Sequence, residues 1–183
     1  MSMIVQLVGP PACGKRTIGA LVAKRLGAQL MDNHLINDPV FTALGANGFG
    51  DLPPAAFGYA QRVRHIVHEA VVEAPGVVRH VFTNWLVDTE ADRRSAEEIR
   101  DIARVRLASF HPVWLTCDAA EIHRRIDHPE RRARNKLRDP AKVADALRRP
   151  GLPAPDDALR LDTTALPPAD AADRIVAWID ERS

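Results

Sequence analysis

Cysteine is nearly absent from this chain: only Cys13 and Cys117 occur, far apart in the sequence. That excludes a disulfide framework and gives no spacing suited to a zinc site. A charge of one dominant sign is missing too, since 25 basic residues stand against 24 acidic ones for a net +1. No global field is therefore available to recruit nucleic acid or an anionic membrane. No stretch approaches the roughly 18 consecutive apolar residues that a membrane span needs. The amino end lacks the basic region and cleavage site of a signal peptide, running directly into "MIVQLVG". The protein is expected to be soluble, reduced and cytoplasmic. What is present is ordinary for a globular chain: 183 residues, 46% apolar and 27% charged, enough for one well-buried core. Neither an internal repeat nor a long linker divides it, so residues 1–183 are expected to form a single domain.

Strand and helix patterns alternate along the chain. "MIVQLVG" is a short, β-branched apolar run closed by Gly9, the pattern of a buried strand. After Lys15 the period changes, with Ile18, Leu21, Val22 and Leu26 at helical spacing and Gly27 as the stop. "AQLM" predicts a second strand ending at Asp32, and Asp38-Pro39 predicts the start of a helix. Ala56, Ala60, Val63, Val67 and Ala70 mark an amphipathic helix that ends near Pro75-Gly76. "GVVRHVFTN" is a third strand, and Ser95 with Glu98 forms a capping-box pattern for the helix after it. "HPVWLTC" and "ALRLDTT" complete five strands. Helices are expected after Asp118, after Asp139-Pro140 and from Pro168. Such alternation means a parallel sheet covered on both faces.

The specific signal is "LVGPPACGKRTIG", residues 7 to 19. Gly9, Gly14 and Lys15 follow a strand and open a helix. In that setting backbone N–H groups of Gly9, Ala12, Cys13, Gly14, Lys15 and Arg16 can point inward at phosphate oxygens, with Pro10 and Pro11 shaping the turn. The helix N-terminus adds its positive end. A lysine here neutralises charge near the transferred phosphoryl group. A bare match arises by chance in on the order of a few per cent of chains this long, and the strand-before, helix-after context lowers that further. In the usual pattern the residue after the lysine offers a hydroxyl to Mg²⁺. Arg16 cannot do so, and Thr17 follows it.

"GKRT" resembles the loop of the P-loop nucleotide and small-molecule kinases, the group of adenylate, shikimate and gluconate kinases, in which adenylate kinases read G-K-G-T. The resemblance covers most of the chain, though only the loop is individually specific. It implies a three-layer αβα fold with strand order 2-3-1-4-5, ATP and Mg²⁺ as cofactors, and transfer to a small-molecule acceptor. It places Thr17 at a phosphate or a metal-bound water, and Arg16 over the outer side of the phosphates or in solvent. "KRLGAQLMDNHLI" is similar to the stretch where shikimate and gluconate kinases carry Asp-x-Asp. Asp32 matches the first acid, as metal partner or proton acceptor, while His34 stands where the second would be.

Many of these kinases have an acid at the end of the third strand, where this chain has "FTNWL". Asn84 is the candidate there for a substrate oxygen. The segment from about 124 to 140 resembles a LID, and Arg125 and Arg131 match the arginines that steady charge on the γ-phosphate. Arg132, Arg134 and Lys136 are further candidates. Interleaved acids and the lack of an aromatic among them argue against nucleic acid. "LRLDTT" is similar to the final strand and loop beside adenine, giving Asp162 and Thr163 backbone contact. The acceptor region is expected over about residues 34–75, with Arg62 or Arg64 gripping an anionic acceptor. His34, His65 and His68 lack the carboxylates and spacing of a metal site. The reading is an ATP-dependent phosphotransferase, monomer or homodimer. The alternative is a nucleotide-binding module without transfer, a sensor or partner-coupled ATPase.

Overall fold

The computed structural model describes residues 2–46, 51–126 and 139–182. Five parallel strands, β1 (Met3–Val8), β2 (Gln29–Asp32), β3 (His80–Asn84), β4 (Ser109–Thr116) and β5 (Leu159–Asp162), form one sheet in the order β2-β3-β1-β4-β5. This is the order expected. Period-two alternation assigns β1 to two cores at once. Val5 and Leu7 pack with α1 (Lys15–Leu26) and the carboxyl-terminal α7 (Pro168–Asp180), alongside Ile18, Val22 and Ile175. Ile4 faces the other way, with Phe82, Ile99 and Ile102, under α3 (Ala56–Glu73) and α4 (Glu90–Val105). Two short helices, α5 (Ala119–Arg125) and α6 (Pro140–Arg148), meet through Ile122, Ile126 and Val143 near Ala12 of the glycine loop. Among the described residues no helix is long and apolar enough to cross a membrane.

Three element boundaries differ from the sequence reading. The second helix, α2 (Asn33–Ala43), begins directly at the end of β2 and carries Pro39 inside it. Asp38 does not cap; its carboxylate meets the His34 ring one turn back at 2.9 Å. α4 starts at Glu90, because the Thr89 hydroxyl accepts from Asp92 N–H at 3.2 Å and Asp92 Oδ2 accepts from Val87 N–H at 2.8 Å. Ser95 therefore lies inside that helix. β3 begins at His80, with Val77 exposed in the preceding turn. Asp139 and Pro140 behave as expected, the Asp139 carboxylate accepting from the backbone N–H of Ala141 at 2.9 Å.

One buried group gives the fold a pH dependence. His68 on α3 is 9% exposed and lies edge-on to Phe82. Burial, reinforced by Arg64 and His65, lowers its pKa from 6.5 to about 4. The unfolded chain takes up this proton below about pH 6.5 while the folded one resists until about pH 4. The contribution to stability is thus complete above pH 6.5 and lost as pH falls toward 4. About 2–4 kcal/mol should disappear over that window. Burial of His80 and His111 acts with the same sign. Urea unfolding at pH 7.5 and pH 4.5 checks this, with His68→Gln expected to narrow the gap by most of that amount.

Candidate functional site

The glycine loop lies at the carboxyl edge of the sheet, where β1 ends at Val8 and the chain turns into α1. Gly9 N–H donates to Asn84 O at 3.2 Å, fastening the start of the loop to the end of β3. Cys13 is fully buried, and its carbonyl accepts from Thr163 Oγ1 at 2.9 Å, fastening the far side to the segment after β5. Between these anchors Ala12 and Gly14 take the left-handed conformation, at φ 61° and 95°. Gly14, at that angle, is the N-cap of α1. Lys15 reaches back over the bend, its Nζ donating to Gly9 O at 2.7 Å and Pro10 O at 2.6 Å. A cation thus sits against the mouth of a backbone concavity at a helix N-terminus, an arrangement that binds anions. Gly9 leaves no room for a side chain: a Cβ there would lie 2.7 Å from Leu115 O and 2.9 Å from Cys13 Sγ.

Asp32 closes β2 beside this loop and is 3% exposed. Thr83 Oγ1 donates to its Oδ1 at 2.6 Å. Its Oδ2 lies 2.9 Å from Nε of Arg16. That second contact is an ion pair without hydrogen-bond alignment, and both atoms are buried with no hydrogen-bond partner. Arg16 therefore turns toward the β2 edge, and not into solvent, the second of the two positions the sequence left open. Thr17 is exposed on the first turn of α1. Among the described residues no group of three or more His, Cys, Asp or Glu side chains could hold a metal. Asp32 as placed does not fit a magnesium ligand, since a guanidinium already flanks its one oxygen not bonded by Thr83.

The remaining candidates divide by location. Asn33, next to Asp32, accepts from Arg64 Nη2 at 3.5 Å. Arg64 is half-buried, and burial lowers its pKa against the opposing pull of Glu98 and Asp92. Its Nε is buried without a hydrogen-bond partner. Arg62 points elsewhere, into a groove of about 440 Å³ between α2 and α3 lined also by Val40, Leu44, Tyr59 and Ile66. Two residues apart on a helix means nearly opposite faces, so only Arg64 is brought to the Asp32 side. His34 is partly exposed and bonded to Asp38. Asn84 accepts from Gln6 Nε2 at 3.5 Å, in addition to its backbone bond to Gly9.

On the opposite flank, Arg125 Nη2 donates to the carbonyls of Thr163 and Thr164 at 2.9 and 3.0 Å, and its Nε donates to Glu121 at 2.6 Å. Arg124, with Arg125, holds the Glu121 carboxyl down at about 2. Asp162 accepts from Thr164 N–H and Oγ1 at 2.8 and 2.6 Å, which lowers its pKa. Arg125 and Asp162 in this way brace the segment that carries Thr163 to the glycine loop. Arg131, and with it Arg132, Arg134, Lys136 and most of the expected LID, lies outside the described residues.

No protein-family model matches the chain, and no curated protein matches it in sequence. Solved structures do. A gluconokinase from Sinorhizobium meliloti superposes with TM-score 0.68 at 14% identity, covering 98% of this chain and 94% of its own. A sugar kinase from Janibacter sp. gives 0.65 at 19%, with 98% and 95% covered. Shikimate kinase from Acinetobacter baumannii, in complex with shikimate, gives 0.57 at 20%, with 100% and 96% covered. The chain has the three-layer αβα fold that these P-loop kinases share.

Proposed function

We propose that this protein is a phosphotransferase that takes the γ-phosphate of ATP and passes it to a small hydroxylated acceptor carrying an anionic group. One observation carries the reading: Lys15 folds over a tight, glycine-dependent bend at the carboxyl end of the central strand, with the buried Asp32 beside it. The loop amides and the α1 N-terminus would cradle the triphosphate, and Lys15 would move from the Gly9 and Pro10 carbonyls onto the phosphates. Asp32, held by Thr83, would receive the acceptor hydroxyl at Oδ2. Arg64, with a buried Nε lacking a hydrogen-bond partner, would take the acceptor's anionic group, with Asn33 next to it. His34 and Asn84 border the same edge of the sheet. Arg125 would hold the base-side segment around Asp162 and Thr163, and Arg131 would approach from the LID. Magnesium would arrive with the triphosphate. The fold shared with kinases of gluconate, other sugars and shikimate supports this class of acceptor.

An acceptor screen tests it, with ADP release measured against sugar acids, polyol acids and phosphorylated alcohols. Turnover with an anionic member is expected. Arg64→Gln should then raise the KM for that acceptor by about 10–100-fold, the worth of one charge-assisted hydrogen bond. Arg62→Gln should leave it unchanged. Equal sensitivity of the two variants would remove Arg64 from the site. A second reading, a nucleotide-binding module without transfer, is favoured by the engagement of both Asp32 oxygens. Tight ATP binding with no turnover across the whole screen would select it.

A further inference from the structure

The residue after the phosphate-loop lysine is the place where a metal-binding hydroxyl is usual, and here it is Arg16. Its guanidinium does not face solvent. Nε lies 2.9 Å from Asp32 Oδ2, and the two side chains are 27% and 5% exposed. Asp32 is also the acid at the end of β2, beside the loop, where a carboxylate could face a nucleotide-borne metal. Its other oxygen is taken by the Thr83 hydroxyl at 2.6 Å. Both groups of a would-be metal site are therefore altered together. The hydroxyl is replaced by a cation, and the carboxylate is occupied by that same cation.

Resting on the nucleotide-binding reading above, we infer that Arg16 holds at Asp32 the position a protein-bound divalent cation would take, so that nucleotide binding depends little on divalent metal. A dication ligated by Asp32 would have to share one carboxylate oxygen with a guanidinium already 2.9 Å away. Like charges that close, in a site this shielded from water, repel strongly. The contact is charge without hydrogen-bond alignment, so Oδ2 still has room for one hydroxyl donor but not for a second cation. Arg16 also leaves a permanent positive charge next to the loop, which partly offsets the extra charge of a metal-free triphosphate. Thr17, exposed on the first turn of α1, leaves Asp32 still held by Arg16. Arg16 is on this basis a positioning residue, acting on nucleotide and acceptor through Asp32.

The test is calorimetry of ATP with the full-length protein, in excess Mg²⁺ and again in EDTA. Coupling between two ligands at adjoining sites commonly amounts to about 5–150-fold in affinity. Wild type is expected to fall below that range, with the two dissociation constants within about threefold. Arg16→Ser, which puts a hydroxyl after the lysine and releases Asp32, should bind ATP about tenfold or more weakly in EDTA than in Mg²⁺. Arg16→Lys, keeping the charge, should behave as wild type. A wild-type ratio of about tenfold or more overturns the inference. So does an Arg16→Ser ratio equal to that of wild type. Should Arg16→Ser fail to fold, wild type and Arg16→Lys decide the matter by themselves. Absence of ATP binding under both conditions would instead bring down the nucleotide reading, and this inference with it.

Discussion

Lys15→Ala is expected to lower ATP-dependent turnover by about 10²–10³-fold, the loss seen when one preorganised donor to developing charge is removed. The position of the ammonium is the reason for this expectation. Nζ reaches two carbonyls of its own loop, Gly9 O and Pro10 O, at 2.7 and 2.6 Å. A phosphate entering the bend offers the same group a stronger, charged acceptor within a short swing of the side chain. Lys15→Arg should not rescue, because a planar fork cannot follow a path shaped for a compact point charge. The fold should survive either change, since the loop remains tied by the Gly9 and Cys13 anchors. Circular dichroism together with ATP titration separates the effects: secondary structure retained, nucleotide affinity lost.

Gly9→Ala should instead damage the fold itself. The added methyl would meet Leu115 O at 2.7 Å and Leu115 Cβ at 3.1 Å. That carbonyl belongs to β4, which pairs with β1 from Ser109 to Trp114 and with β5 at Leu115, so relief requires moving a central strand. The cost should be about 2–3 kcal/mol, as for other overpacked interiors, and the melting temperature should drop by about 4–12 °C. Gly58→Ala provides the contrast. Gly58 lies within α3 with nothing near its would-be Cβ, so better helix propensity should raise stability by up to about 1 kcal/mol. Thermal denaturation of the pair checks both signs. Equal behaviour would mean that the close approach at Gly9 is not a constraint.

The sheet and its phosphate loop were legible in the sequence because both depend on local patterns. Short β-branched runs alternate with helical spacing, and two glycines and a lysine sit at fixed offsets. The strand order 2-3-1-4-5 came from the resemblance, since alternation alone does not order strands. What escaped the sequence was pairing at a distance. Nothing local says that Arg16 and Asp32 meet, because the contact exists only once β2 lies beside β3 and α1 packs over that edge. For Arg62 and Arg64, which the sequence left open, the distinction lay in the phase of α3. The expected stripe on α3 passed from Ala60 to Val63 and Val67, whereas the inward row runs Ala56, Ala60, Arg64, His68 and Val71. Spacing of four from Ala56 through His68 was visible in the sequence, and it would have placed Arg64 inside. The start of α4 was readable too. Thr89 and Asp92 carry the cap spacing that was assigned to Ser95 and Glu98.

A crystal structure with a non-hydrolysable ATP analogue bears most directly on how the loop works. The phosphates are expected within hydrogen-bond reach of the backbone N–H groups from Ala12 to Arg16. Lys15 Nζ should have left the Gly9 and Pro10 carbonyls for a phosphate oxygen. An analogue bound elsewhere on the molecule, with Lys15 still on those two carbonyls, would contradict a phosphate-binding role for the bend.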